Sequence, residues 1–176
     1  GAAETRALAA RLERPAPIYL RVNTLKSTPE EVLRRLRAEG HLAGPVEAAP
    51  GALLLVHRAN LYRSAAFAEG LFEIQDVSSQ AAGYALDPRP GERVLDFCAG
   101  AGGKTLHLAA LMQNKGTLWA LDVEARRLAR LKQRAARAGA YNIRRALVEP
   151  VPVDTDTDAD AAFAEPSARG EFASDP

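Results

Sequence analysis

The chain of 176 residues is 47% hydrophobic and has a single cysteine, which excludes an internal disulfide framework and a zinc site built on several cysteines. No apolar run reaches the length of a membrane span and no secretory signal segment is recognisable, so a cytoplasmic location is expected. Residues 1–147 carry 22 basic and 14 acidic side chains, whereas residues 148–176 carry one and eight. The basic body predicts a polyanionic partner, or alternatively reflects an Arg-rich composition with solvated side chains.

The first part of the chain predicts a helix, a linker and a small α+β module. Residues 1–17 form the helix and linker, because two prolines end an amphipathic stretch. Residues 18–76 read as β-α-β-β: their helix has Thr28 as its cap, a proline at its first position and two glutamates in its first turn. The predicted elements are a helix at 4–14, a strand at 18–23, a helix at 29–39 and strands at 52–56 and 71–76.

The second part, residues 77–148, predicts a parallel sheet of Rossmann type, because strands and helices alternate with short connections. Residues 149–176 are acidic and poor in large apolar side chains, which is typical of a disordered tail. The run DTDTDAD lacks the glycine and closing glutamate of a calcium loop, so no metal site is predicted. The predicted elements are helices at 77–86, 104–113 and 123–138 and strands at 93–97, 117–122 and 142–148.

A glycine-rich loop, DFCAGAGGKT at residues 96–105, follows the first strand of this sheet. Its end matches a phosphate-binding P-loop, but Cys98 stands where that motif has its first glycine. A dinucleotide fingerprint fits Gly100 and Gly102, although Thr105 occupies its third small position. Asp122 ends the next strand, where an acid binds ribose hydroxyls. The spacing therefore predicts an adenosine-bearing cofactor and leaves NAD and S-adenosylmethionine open.

A longer stretch decides between these cofactors by resemblance. The segment IQDVSSQAAGYALDPRPGERVLDFCAGAGGKT, with the later LD and RL pairs, resembles the RNA (cytosine-5) methyltransferase family of the RsmB/Sun/NOP type. Upstream, LRVNTLK is similar to the strand that enters the family's RRM-like RNA-binding module. The resemblance covers about residues 17–147. One departure is visible, because Gly100 and Ala101 stand where alanine and proline are usual.

The resemblance implies an α/β fold, namely the N-terminal half of a Rossmann-like methyltransferase sheet after an RRM-like module, with S-adenosylmethionine as cofactor and RNA, specifically ribosomal RNA, as partner. It also implies that the glycine loop lines the methionine end of the cofactor and that an acid contacts its adenine side, either Glu149 or Asp154. Asp96 is expected either to accept backbone N–H groups of the loop or to be a simple carboxylate at the end of the strand. Gln75 and Asp76 either brace the module against the cofactor domain or cap a helix. The implied cofactor-binding residues are Cys98, Ala99, Gly100, Ala101, Gly102, Gly103, Lys104, Asp122 and Arg127.

The family's chemistry needs a cysteine thiolate that adds to C6 of cytosine, and both family cysteines follow the third strand. Here the only cysteine is Cys98 in the cofactor loop, expected to be a small buried residue rather than a nucleophile. No catalytic residue is therefore predicted, and the chain, read as a fragment, is expected to be inactive alone. The alternatives are a non-catalytic RNA- or S-adenosylmethionine-binding remnant and a NAD-binding half-domain. The first Rossmann strand lacks its usual neighbour, which predicts self-association or a complementing chain.

Overall fold

The computed structural model describes residues 1–13, 15–47 and 49–149, which form two sheets flanked by helices. A short 3-10 turn at Leu61–Arg63 precedes the third helix. In chain order the other elements are α1 (Ala2–Leu12), β1 (Tyr19–Val22), α2 (Pro29–Ala38), β2 (Ala43–Pro45), β3 (Ala52–Leu55), α3 (Ala65–Ala68), β4 (Phe72–Ile74), α4 (Val77–Leu86), β5 (Arg93–Asp96), α5 (Gly103–Leu111), β6 (Thr117–Asp122), α6 (Ala125–Ala138) and β7 (Ile143–Leu147).

The first sheet is antiparallel and has the strand order β2-β3-β1-β4, with α2 and α3 in the two crossovers. This is a βαββαβ arrangement of ferredoxin-like type. Its core lies on one sheet face and includes the fully buried Leu20, Leu36 and Phe72. The cap of α2 is present as predicted, because the Thr28 hydroxyl accepts a 3.3 Å hydrogen bond from the Glu31 N–H. The sequence pattern missed β2 and α3.

The second sheet is parallel, with the order β5-β6-β7 and helices α5 and α6 as connections. The predicted α/β fold of Rossmann type is therefore confirmed. Gly139 ends α6 in the left-handed conformation, at a φ of 70°. Among the described residues β5 pairs only with β6, and Leu95 and Phe97 at its free side are 55% and 61% exposed.

Several sequence expectations concern residues outside the described part. The acidic tail from residue 150 onward, the DTDTDAD run and Asp154 all lie there. Among the described helices, none is both long enough and apolar enough to cross a bilayer.

The interface between α4 and α5 buries a histidine. His107 is 3% exposed, its ring lies 4.7 Å from that of Tyr84, and its Nδ1 has no hydrogen-bond partner among the described residues. Burial, and secondarily the positive charge of Arg21, lowers the pKa of His107 to about 3. The side chain is therefore neutral in the folded chain at every moderate pH.

Acidification should destabilise the fold through His107. The folded pKa is depressed, so the unfolded chain binds a proton that the folded chain does not, and stability is lost as the pH falls from about 6.5 toward 3. We expect a slope of about 1.4 kcal/mol per pH unit below pH 6, measured by urea unfolding at pH 7, 6 and 5. A His107→Leu variant should lose this part of the pH dependence. Equal pH dependence in both chains would contradict the prediction.

Candidate functional site

The glycine loop forms a tight turn between β5 and α5. Gly100 and Gly102 have φ angles of 56° and 87°, in the left-handed region that favours glycine. The Gly102 N–H donates to the Ala99 carbonyl at 2.9 Å, and the Ala99 N–H donates to the Leu121 carbonyl of β6 at 2.8 Å. These bonds hold the loop against the carboxyl end of the neighbouring strand.

Asp122 links that strand end to the loop. One carboxylate oxygen accepts the Gly100 N–H at 2.8 Å and the other accepts the Glu124 N–H at 2.9 Å. These donors, first Glu124 and then Gly100, lower the pKa of Asp122, and Arg127 adds a smaller effect in the same direction. The residue is 5% exposed. Each oxygen keeps a free lone pair, so an ionised acceptor remains for hydroxyl donors.

A cavity of about 320 Å³ opens at the carboxyl ends of the three parallel strands. This is where ligands bind in open α/β sheets, and the volume lies in the usual range for small-molecule sites. Of the implied cofactor-binding residues, Cys98, Asp122 and Arg127 line it, and the loop residues from Ala99 to Lys104 are not part of its lining. Arg127 pairs with Glu124 at 2.8 Å on the surface. The lining consists of Phe97, Cys98, Asp122, Val123, Arg127, Val148 and Glu149.

The start of α5 adds a second feature. Among the described residues, the backbone N–H groups of Gly103, Lys104 and Thr105 make no hydrogen bond, as is usual in the first turn of a helix. They lie at the positive end of the helix dipole and can receive an anionic group. The Lys104 side chain is exposed and lines a different cavity, of about 180 Å³, between α4 and β5.

Two of the expected roles are wrong. Cys98 is exposed rather than buried, because it stands at the end of β5 on the rim of the cavity. The carboxylate of Asp96 accepts the Thr105 hydroxyl at 2.7 Å, so it holds the first turn of α5 and not a loop N–H group.

The two residues before α4, Gln75 and Asp76, have different roles. Asp76 caps this helix, accepting the Ser78 N–H at 2.8 Å. Gln75 acts indirectly, because its Oε1 accepts a 2.6 Å hydrogen bond from Arg21 of the same sheet, and Arg21 also donates to the Gly103 carbonyl of the second module.

Three apolar lining residues, Phe97, Val123 and Val148, were missed in the sequence. Each directly follows the last residue of a parallel strand, and that position alone could have identified them. Of the two candidates for the third-strand acid, Glu149 lines the cavity. The cavity thus combines an ionised carboxylate with apolar walls, and the unpaired N–H groups stand at the end of the same glycine loop. Together these features suit an adenosine-bearing cofactor with an anionic end.

Two family models match the chain, one for each sheet. Residues 1–62 match the ferredoxin-like domain of Methyltr_RsmF/B-like proteins, and residues 83–157 match the 16S rRNA methyltransferase RsmB/F family. A probable ribosomal RNA small subunit methyltransferase B of Bacillus subtilis is 38% identical over 125 residues, covering 71% of this chain and 28% of the relative. A 28S rRNA (cytosine-C(5))-methyltransferase of Mus musculus is 33% identical over 143 residues, covering 70% of this chain and 30% of the relative.

Solved structures agree with these matches. A methyltransferase homolog protein from Pyrococcus horikoshii is 36% identical with a TM-score of 0.75, over 80% of this chain and 47% of that one. NSun6 from Pyrococcus horikoshii with SFG shares the fold, with a TM-score of 0.79 at 19% identity, over 83% of this chain and 62% of that one. The chain spans about 30% of the length of the curated relatives named above. Both of its modules match in sequence and in fold, and the chain therefore belongs to the RsmB/F family of RNA (cytosine-5) methyltransferases, which depend on S-adenosylmethionine.

Proposed function

We propose that this chain binds S-adenosylmethionine as part of an RNA cytosine-C5 methyltransferase that acts on ribosomal RNA. The observation that carries the proposal is the cavity at the strand ends with the ionised Asp122 in its wall. Family membership supports the cofactor, and the names of the relatives from Bacillus subtilis and Mus musculus support ribosomal RNA.

The residues present suit this cofactor. The Asp122 carboxylate would accept the ribose hydroxyls, and the apolar Phe97, Val123 and Val148 would contact the adenine. The unpaired N–H groups at the start of α5 would receive the methionine carboxylate, so the loop from Cys98 to Lys104 would line this end. Arg127 would lie beside the cofactor. When bound, the cofactor supplies the methyl group.

Methyl transfer in this family also needs a cysteine nucleophile after the third strand of the parallel sheet, and the 176 residues contain no cysteine there. The only cysteine, Cys98, lies in the cofactor loop. We therefore propose that the chain alone does not methylate RNA. Transfer of labelled methyl to a cytosine-containing RNA by this chain alone would disprove that. A non-catalytic RNA- or S-adenosylmethionine-binding remnant is the second candidate.

The free side of β5 supports a further part of the proposal, a complementing chain or self-association. Leu95 and Phe97 are exposed beside backbone groups that no described strand pairs. A strand edge with apolar flanks is a template for another strand. We further propose that residues 18–76 and 77–148 act as RNA-binding and cofactor-binding modules, with the basic side chains of the body contacting phosphates.

Calorimetric titration with S-adenosylhomocysteine tests the proposal. Asp122→Asn should weaken binding at least tenfold, because it removes the charge and one of two acceptor oxygens from the ribose site. Asp87→Asn is the matched control: Asp87 is an exposed helix-end residue with a φ of 46°, which asparagine tolerates. NAD should not compete. Failure of the folded wild-type chain to bind, or displacement by NAD, would overturn the proposal.

A further inference from the structure

The second face of the antiparallel sheet is occupied by the parallel-sheet module. Along β1 and β4, side chains alternate between the two faces. Leu20, Val22 and Phe72 point into the ferredoxin-like core. The neighbouring residues on the opposite face are polar, and they are also buried: Arg21 is 2% exposed and Glu73 is 3% exposed. Their partners include the glycine loop, the start of α5 and residues of α6, so this face is an interface between the two modules.

Two arginines at this interface bind carbonyl groups of the glycine loop. The Nη1 atom of Arg21 donates to the Gly103 carbonyl at 2.7 Å and to Gln75 at 2.6 Å. The Nη1 atom of Arg134, in α6, donates to the Ala101 carbonyl at 2.8 Å. Both carbonyls belong to the segment that supplies the N–H groups described above.

Glu73 of β4 holds the second arginine in place. Its carboxylate accepts from Arg134 at 2.9 Å and from Arg137 at 2.6 Å.

Burial is the main influence on Arg21 and lowers its pKa to about 10, while the negative charge of Glu73 acts in the opposite direction. Arg21 is thus still a cation at neutral pH, and both of its hydrogen bonds are charge-assisted.

Fixing the Gly103 carbonyl fixes the free Lys104 N–H on the same peptide plane, whereas the Ala101 carbonyl shares its plane with the Gly102 N–H, which closes the turn by donating to the Ala99 carbonyl. A trans peptide is planar, with its C=O and N–H pointing in opposite directions. The Gly103 carbonyl faces Arg21, so the Lys104 N–H faces away from the interface. A loop with glycines at three of its positions would otherwise sample many conformations. Donors that are already oriented bind an anion with less loss of entropy.

We infer that Arg21 and Arg134 are positioning residues of the glycine loop. Arg21, from the ferredoxin-like sheet, orients the free Lys104 N–H toward the methionine end of the cofactor, and Arg134, from α6, holds the turn that leads into α5. The inference rests on the proposed function for the identity of the cofactor. It makes the ferredoxin-like module a part of the cofactor site. It also leaves the covered sheet face closed to RNA, so RNA contacts by this module must use its other surfaces.

The test compares two ligands in Arg21→Met and Arg134→Met. S-adenosylhomocysteine has the amino-acid end and 5′-methylthioadenosine lacks it. We expect the affinity for S-adenosylhomocysteine to fall about tenfold while that for 5′-methylthioadenosine is unchanged, measured by calorimetry. Without ligand, amide hydrogen exchange at Gly100 and Gly102 should accelerate about tenfold. Arg21→Lys should restore most of the affinity for S-adenosylhomocysteine and most of the protection from exchange. A single nitrogen of Arg21 donates to both Gln75 and Gly103, and a lysine ammonium can replace it.

Arg34→Met is the matched control, since Arg34 pairs with Glu31 on the exposed face of α2 and does not contact the loop. It should change neither affinity nor exchange. Equal losses for both ligands with faster exchange throughout the chain would show a merely structural role and overturn the inference, as would unchanged exchange in the loop. If the wild-type chain binds neither ligand, the proposed function fails, and the exchange rates still decide whether the arginines position the loop.

Discussion

Replacing Gly102 by alanine should destabilise the chain by about 3 kcal/mol or more, because the loop cannot accommodate a methyl group there. A Cβ atom at this position would lie 2.1 Å from Cδ1 of Leu131, and the φ of 87° adds backbone strain. Leu131 is fully buried in the core between α6 and the parallel sheet, so it has little freedom to move. Urea unfolding followed by circular dichroism would measure the loss.

Gly100→Ala provides the matched comparison within the same loop. Its φ of 56° is also left-handed, but a Cβ there meets no atom within 4 Å. The cost should therefore be backbone strain alone, about 1 kcal/mol. Alanine is also the residue that stands at this position in the usual family motif. If both substitutions cost the same, the contact with Leu131 does not determine the requirement for Gly102.

Local signals in the sequence were sufficient for elements that carry their own start and stop residues. Helix α4 has the predicted bounds, Val77–Leu86, because Asp76 caps it and a turn follows it. Strand β2 was missed because Ala43–Pro45 contains no β-branched residue, and it is a strand only through its pairing with β3. Helix α3 is a single turn of four residues, shorter than any periodic pattern can reveal.

In the candidate site too, local sequence signals identified some residues and missed others. The glycine loop and Asp122 lie at the ends of consecutive strands, so the order of elements was enough to bring them together. Arg21 is 82 residues from Gly103, and only the docking of two modules makes them neighbours. In the sequence, Arg21 reads as an ordinary polar position of a half-buried strand. Long-range polar contacts of this kind have no local signal.

Asn23→Asp should destabilise the chain by about 3 kcal/mol at neutral pH, although the two side chains have nearly the same shape. Asn23 is 3% exposed, and its amide nitrogen donates to two carbonyls, of Gly70 and of Ala138, at 2.8 Å each. A carboxylate oxygen at that place would face both carbonyls as a buried negative charge. The contact joins the ends of both modules, so their docking should weaken together with global stability.

Asn60→Asp is the control for this change, because Asn60 is exposed and acts only as an acceptor, for the Tyr62 N–H at 3.2 Å. Aspartate keeps that acceptor, so the free energy of unfolding should change by less than about 0.5 kcal/mol. The difference between the two variants should shrink as the pH falls, since a protonated carboxyl group at position 23 carries no charge and regains a donor toward one carbonyl. A cost that is equal in both variants, or independent of pH, would mean that the docking of the modules does not depend on the donor that Asn23 supplies to the two carbonyls.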